Sequence, residues 1–307
     1  MNQPCWFVKE GGDFRAKNSG FQRELAYPSL RFTIHTLKLP IRIFSDLHLA
    51  HPSCRMEVVE AMRPLIEGAK TVVFNGDTYE QRNPSLREEG EAMFQDLKAL
   101  CEDCGAESIF LCGNHDAEIS ELEWLNLVEG KVFLTHGDVL FPLISAWNPK
   151  MWKVEPEVWA IRRGVGESAI QENLDSALLA TSKTRLLTSG DEAKFKSKRF
   201  KAIRAVARLL WPPRRPWEIL KCWIQTPSLA ADFAKRHRPK AKVFTFGHTH
   251  RPFVKIRDGQ VLINTGGFLT PGKAQFVEIS EGAVSVHEIN ESGTEIRIGR
   301  ERFRQDL

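Results

Sequence analysis

Five short apolar runs, each closing on a small group of Asp, Asn or His, constrain this chain more than any other feature. Ile41 to Ser45 leads into Asp46-Leu47-His48, Thr71 to Asn75 into Gly76-Asp77, and Ser108 to Cys112 into Gly113-Asn114-His115-Asp116. Lys131 to Thr135 leads into His136-Gly137-Asp138, and Val243 to Phe246 into Gly247-His248-Thr249-His250. Runs of this length read as buried strands. Between the first of them lie stretches with helical spacing: Met56 to Gly68, and Leu86 to Leu100 with Met93, Leu97 and Leu100 on one face. The alternation predicts a layered α/β core. In an open α/β sheet the loops at the carboxyl ends of neighbouring strands converge on one crevice. Five of the nine histidines would meet there with several carboxylate or amide oxygens. Such a mixed N/O set suits Mn, Fe or Zn and holds too many imidazoles for Ca or Mg alone. Any one of these groups reads as a helix cap or a turn. Five in order, each after an apolar run, do not.

Composition narrows the class. With 42% hydrophobic and 27% charged residues over 307 positions, the chain can bury a sizeable core, which excludes disorder and a disulfide-stapled mini-protein. No apolar stretch reaches a membrane span, and Met1 to Gly20 has no signal-like apolar core. With six cysteines in such a chain, the expectation is reduced thiols in a cytoplasmic protein. Cys101 and Cys104 form a CxxC at the end of a helix rather than its start, which speaks against redox or zinc use. An edge strand is expected around Leu30 to Leu37, and short strands at Val261 to Asn264, Gln275 to Ile279 and Val284 to Ile289.

Between about Asn148 and Lys240 the strand signal vanishes. Ala169 to Leu187 and Lys194 to Leu210 have helical spacing, and Pro212, Pro213 and Pro216 predict a break before Trp217 to Trp223. Lys183 to Lys242 carries 17 Lys/Arg against four acids, a local charge of +13 that leaves −9 for the remainder. The expected organisation is a core from 1–147 and 241–307 with a helical insertion at 148–240. Its basic side has three readings: a solvated face of core-packed helices, a surface for anionic lipid or a lipid-linked substrate, or a nucleic-acid surface.

The series DLH, GD, GNHD, HGD, GHTH resembles the calcineurin-like metallophosphoesterases from about Ile41 onward. The resemblance implies two packed β-sheets flanked by helices, with a helical cap insertion and two divalent ions. It implies that Asp46, His48, Asp77 and His250 hold one ion, and that Asp77 bridges to a second held by Asn114, His136 and His248. His115 would contact the phosphoryl group and assist the leaving group. Asp116 and Asp138 would orient imidazoles or cap helices, and Glu80 would support the site or be an exposed acid. A shared metal-bound hydroxide would attack phosphorus in line, with Mn the first choice of metal and Fe or Zn the others. No GxxxxGK[ST] loop suits phosphoryl transfer from ATP. Within the family, FSDLHL, GDTYE and GHTHRP are similar to UDP-2,3-diacylglucosamine pyrophosphatases, which carry Arg where this chain has His115. That likeness implies a phosphorylated or lipid-linked substrate, and the basic and aromatic residues of the insertion add an expected peripheral contact with an anionic inner-membrane surface, nucleic acid being the alternative. Arg204, Arg208, Arg214 and Arg215 are the candidate substrate-binding cations.

Overall fold

The structure, a computed structural model, describes residues 37–187, 211–292 and 295–307. Eleven strands are found among them: β1 Ile41–Phe44, β2 Thr71–Asn75, β3 Glu107–Leu111, β4 Trp124–Leu127, β5 Val132–Thr135, β6 Val243–Phe246, β7 Phe253–Arg257, β8 Gln260–Asn264, β9 Gln275–Ser280, β10 Ala283–Ser292 and β11 Glu295–Asp306. They form a six-stranded sheet, β11-β10-β9-β1-β2-β3, and a five-stranded sheet, β4-β5-β6-β8-β7. The strands that lead into the Asp/Asn/His groups are parallel neighbours: β1, β2 and β3 in one sheet, β5 and β6 in the other. Their carboxyl ends therefore open on the same side within each sheet.

Strand alternation sets the layers. Ile41, Ile43, Val73, Ile109 and Leu111 of the first sheet pack with Val132, Leu134, Val243, Val261 and Ile263 of the second. The intervening residues point outward, Phe44, Val72 and Phe74 beneath one helical layer and Phe133, Phe244 and Leu262 beneath another. Both faces are apolar because both are covered. The first helical layer is built around α1 Arg63–Ile66 and α2 Arg87–Asp103. Two packed sheets flanked by helices is the architecture the family resemblance implied, and a layered α/β core is what the strand and helix alternation predicted.

The stretch between β5 and β6 holds α3 Pro149–Lys153, α4 Glu155–Val165, α5 Glu167–Glu172, α6 Leu174–Arg185 and α7 Arg214–His237, with no strand among its described residues. Ile170, Leu174, Leu178, Ala230 and Phe233 from these helices pack on the outer face of the five-stranded sheet, so this stretch supplies the sheet's own helical layer. Two expectations need correction. Ala169 to Leu187 is not one helix, because Asn173 breaks it and accepts from the amides of Asp175 and Ser176 as an N-cap. The proline cluster does not stop α7 short of Trp217: the helix starts at Arg214, so Pro216 falls in its first turn, where no intrahelical N–H bond is lost. Pro227 then lies inside the helix, which continues to His237. The expected helix at Lys194 to Leu210 lies outside the described residues, as does the expected strand at Leu30 to Leu37 except for Leu37, which is irregular.

Candidate metal centre

Each site residue sits where a strand gives way to a tight turn. Asp46, His48, Asp77, His248 and His250 all have positive φ, between 51° and 69°, and make up five of the ten non-glycine residues in that region among those described. Backbone strain concentrated this way is characteristic of functional loops. Two glycines make the approach fit. At Gly76, φ is 84° and an added Cβ would lie 2.5 Å from the His136 ring, while at Gly113 it would run into the Asp77 carboxylate. The GD and GNH spacings follow from that crowding.

The turns bring seven side chains into two groups that share Asp77. The ligand atoms of Asp46, His48, Asp77 and His250 lie within 4.8 Å of one another, and so do those of Asp77, His136 and His248. Asn114 joins the second group through Oδ1, 3.3 Å from His136 Nε2.

Hydrogen bonding on the far side of each ring decides what these atoms offer. A carbonyl only accepts, so His136 Nδ1 donates to Asn75 O at 3.1 Å and His248 Nε2 donates to Ile144 O at 3.1 Å. In the neutral rings His136 Nε2 and His248 Nδ1, 3.2 Å apart, are then both lone pairs. Asp77 Oδ2 lies 3.3 Å from His136 Nε2. With these rings neutral, nitrogen and oxygen acceptors converge on one point, where a cation or a proton on His136 relieves them. The other group has the same character. His48 Nδ1 donates to Glu80 at 2.9 Å, leaving Nε2 as a lone pair 3.1 Å from His250 Nε2 and 3.6 Å from Asp77 Oδ2. His250 Nε2 lies 3.1 Å from Asp46 Oδ1. A cation satisfies such a set, and N/O ligation suits a divalent transition metal.

The field points the same way. Burial opposes a charge on His136, but Asp77 and Asp46 outweigh it and push the imidazole up to about 10. Burial and the charge of Asp77 push Asp116 up to about 7. Burial would also raise Asp77, yet the surrounding histidines, His136 first, hold it well below the usual carboxylate range.

Around this centre Glu80 takes the supporting one of its two expected roles, whereas Asp116 and Asp138 do not orient imidazoles. Glu80 is buried and spans two imidazoles, with Oε1 on His48 Nδ1 and Oε2 on His115 Nδ1, each at 2.9 Å. Asp116 orients no imidazole; its carboxylate accepts from the amides of Asp77, Thr78 and Gly113 and so ties two loops together. Asp138 bonds no imidazole either. It takes a two-pronged contact from Arg185, at 2.7 and 3.0 Å, while the third arm of that guanidinium reaches Glu123. Arg185 and Glu123 were not anticipated. The signal was available, because Leu174, Leu178, Thr181 and Arg185 lie along the buried face of α6 at helical spacing.

Of the candidate substrate cations, Arg204 and Arg208 lie outside the described residues. Arg214 and Arg215 are on the first turn of α7, with Arg214 bonded to Glu218 and its guanidinium carbon 4.7 Å from the centre of the Trp152 ring. The CxxC is not reactive in character: burial, then Cys104 and Glu102, push the Cys101 thiol up to about 12. At pH 8 only about one in ten thousand Cys101 side chains would be thiolate. Iodoacetamide should therefore leave Cys101 unlabelled in the folded protein under conditions that alkylate it within minutes in urea, as peptide mass analysis would show.

Residues 39–252 match the sequence profile of the calcineurin-like phosphoesterases (Metallophos). A search among curated proteins gave no match. Among solved structures, the chain is similar to a Vps29 double mutant from Entamoeba histolytica at 13% identity, covering 88% of this chain and 99% of that one, with a TM-score of 0.43. It is similar to Yfce, a phosphoesterase from E. coli, at 15% identity, covering 87% and 99%, with a TM-score of 0.40. A predicted phosphoesterase from Streptococcus pneumoniae TIGR4 matches at 14% identity over 86% and 97%, with a TM-score of 0.33. At such scores these likenesses carry no weight for activity, whereas the profile match spans more than two thirds of the chain and the buried acceptor centre. The chain belongs to the calcineurin-like phosphoesterase family, hydrolases of phosphoester bonds.

Proposed function

We propose that this chain holds two divalent metal ions, with Mn the first choice and Fe or Zn the others, and cleaves a phosphoester or pyrophosphate bond in a phosphorylated, partly apolar substrate. The observation that carries this reading is Asp77, the one carboxylate common to both acceptor groups. Asp46, His48, Asp77 and His250 would hold one ion, and Asp77, Asn114, His136 and His248 the other. A bound pair of this kind supplies Lewis acidity toward phosphate oxygens and a water of lowered pKa. The chain's own groups supply the rest. Glu80 fixes the rings of His48 and His115. His115 would give a proton to the leaving oxygen. Phe141 and Trp147 pack against the His248 ring and keep water from that side of the site.

On the substrate side, Trp223 of α7 donates to Thr249 O at 3.0 Å, which anchors the middle of α7 on the loop carrying His248 and His250. Around Trp223 and back to its start, α7 exposes Ile224, Leu220 and Trp217, and Trp211 is exposed three residues before the helix, with Arg214, Arg215 and Lys221 between them in sequence. Aromatic and basic residues on one surface suit a lipid-linked nucleotide diphosphate of the UDP-diacylglucosamine type, presented at an anionic cytoplasmic membrane face. The domain reading that accompanies this is a core of 1–147 and 241–307 with an insertion at 148–240.

The decisive experiment is metal analysis of the purified protein followed by a substrate panel: bis-p-nitrophenyl phosphate, nucleotides, UDP-sugars, UDP-diacylglucosamine and single-stranded DNA. Preference for DNA would overturn the lipid assignment. Replacing Arg204, Arg208, Arg214 and Arg215 by Ser should lower kcat/KM on the lipid-linked substrate by about tenfold or more at low salt, while the small aryl diester is cleaved as before. Equal losses on both would make this surface structural. Sedimentation with phosphatidylglycerol vesicles at low and high salt reads the membrane contact independently.

A further inference from the structure

Among the contacts that the stretch between β5 and β6 makes around the metal centre, one is a buried guanidinium. Arg185 is the last residue of α6, and its guanidinium is fully buried. Its Nε and Nη2 grip both oxygens of Asp138, and its Nη1 lies 3.0 and 2.8 Å from the two oxygens of Glu123. Asp138 is two residues beyond His136, at the start of a 3-10 turn that runs to Leu140. The chain continues from that turn through Phe141 to Ile144, whose carbonyl receives the Nε2 proton of His248. Ile144 holds positive φ, 53°, to present that carbonyl, and the Ile144 amide is tied back to Phe141 O at 2.8 Å. The loop that fixes the His248 ring is therefore rooted at Asp138. Arg185 has a second tie. Its own carbonyl accepts from the Arg82 guanidinium, and the Arg82 amide donates to His115 O at 3.1 Å.

We propose that Arg185 is a positioning residue for the acceptor group at His136 and His248, holding the 138–144 loop so that the Ile144 carbonyl presents His248 Nδ1 to a divalent metal ion. The inference rests on the two-group reading of the centre and adds which part of the chain keeps the second group in register. A planar fork is needed. Four carboxylate oxygens from two loops are met by one rigid guanidinium, which a single ammonium on a flexible stem does not reproduce. The group at Asp46, His48 and His250 is reached from Arg185 through its backbone carbonyl, by way of Arg82, His115 and Glu80, a route that a change of the Arg185 side chain leaves in place. Damage at Arg185 should therefore be one-sided.

The test uses the full-length, metal-free protein titrated with Zn2+ by calorimetry, with imidazole nitrogen NMR reporting which rings respond. The variants are Arg185→Lys, which keeps the charge and loses the fork, and Asp138→Asn, which keeps the shape and loses the anion. Wild type should take up two zinc ions, one shifting His48 and His250 and one shifting His136 and His248. In each variant the second should weaken by about 10- to 100-fold, the usual cost of losing a partner behind a metal ligand. The first should hold its affinity, and the His248 ring should lose its single Nε2–H tautomer before metal is added. If Arg185→Lys fails to fold, Asp138→Asn carries the comparison alone. Unchanged affinity and tautomer in the folded variants would overturn the proposal. So would equal weakening of both ions, which marks a structural staple. A wild type that binds one zinc refutes the two-group reading itself, a result distinguishable from failure of the Arg185 role.

Discussion

Asp77→Ala should bind neither metal ion, or nearly neither, and should lose phosphodiesterase activity by on the order of 10³-fold or more. Among the described residues its carboxylate is the ligand group that both acceptor sets share, 3.6 Å from His48 Nε2 and 3.3 Å from His136 Nε2. Every other member serves one set. Asp77 Oδ1 also accepts the His115 amide at 2.8 Å, so the same substitution loosens the loop that presents His115 and Asn114. Several kcal/mol of transition-state stabilisation commonly depend on bound metal, and each 1.36 kcal/mol is a factor of ten in rate. His250→Ala is the comparison to make. The His250 side chain is 29% exposed and belongs to one set, so its loss should spare the other ion. Metal analysis of the two variants, with thermal melting as the control for folding, separates the assignments. Two full equivalents of metal in Asp77→Ala would end the bridging role.

The residues of this centre were legible because the chemistry demands turns of a particular kind directly after buried strands. Gly76 has no room for a side chain beside His136, and Gly113 none beside Asp77, so the crowding is written into the sequence as GD and GNH. The strands that went unread are β4, β7 and β11, and all three lie at sheet edges. An edge strand need not be apolar on either face. The Phe253–Arg257 and Glu295–Asp306 strands are mostly exposed, and Arg297, Arg300, Arg302 and Arg304 along β11 read as loop or surface rather than strand. Proline misled at α7 because its position within the helix, and not its presence, decides its cost. The supports behind the ligands were harder still. Ile144 and Asn75 fix His248 and His136 with backbone carbonyls, which any residue carries, so no side-chain pattern announces them.

Glu80 is the support whose function can be read most directly, through His115. His115→Ala should keep both metal ions and lose turnover by about 10²- to 10⁴-fold on an ester with a poor leaving group, the range that general acid assistance usually spans. The ring is not a member of either acceptor group that contains Asp77. Instead its Nδ1 rests on Glu80 Oε2, and its plane stands at 84° to the His48 ring with centroids 4.7 Å apart. With the side chain 38% exposed, it borders the opening of the site while the ligands lie deeper. Leaving-group dependence tests the role. A nitrophenolate departs without a proton, so the deficit on bis-p-nitrophenyl phosphate should be small beside that on an alkyl or nucleotide ester. Glu80→Gln keeps the size of the side chain but replaces a carboxylate that faces two imidazoles with an amide. It should lower turnover in the same leaving-group-dependent way and, because His48 shares the carboxylate, weaken metal binding at that group as well. Near-normal kcat of His115→Ala on the poor-leaving-group ester would mean that the ring only packs there. A deficit equal on both esters would assign it to substrate placement and remove the proton from its account.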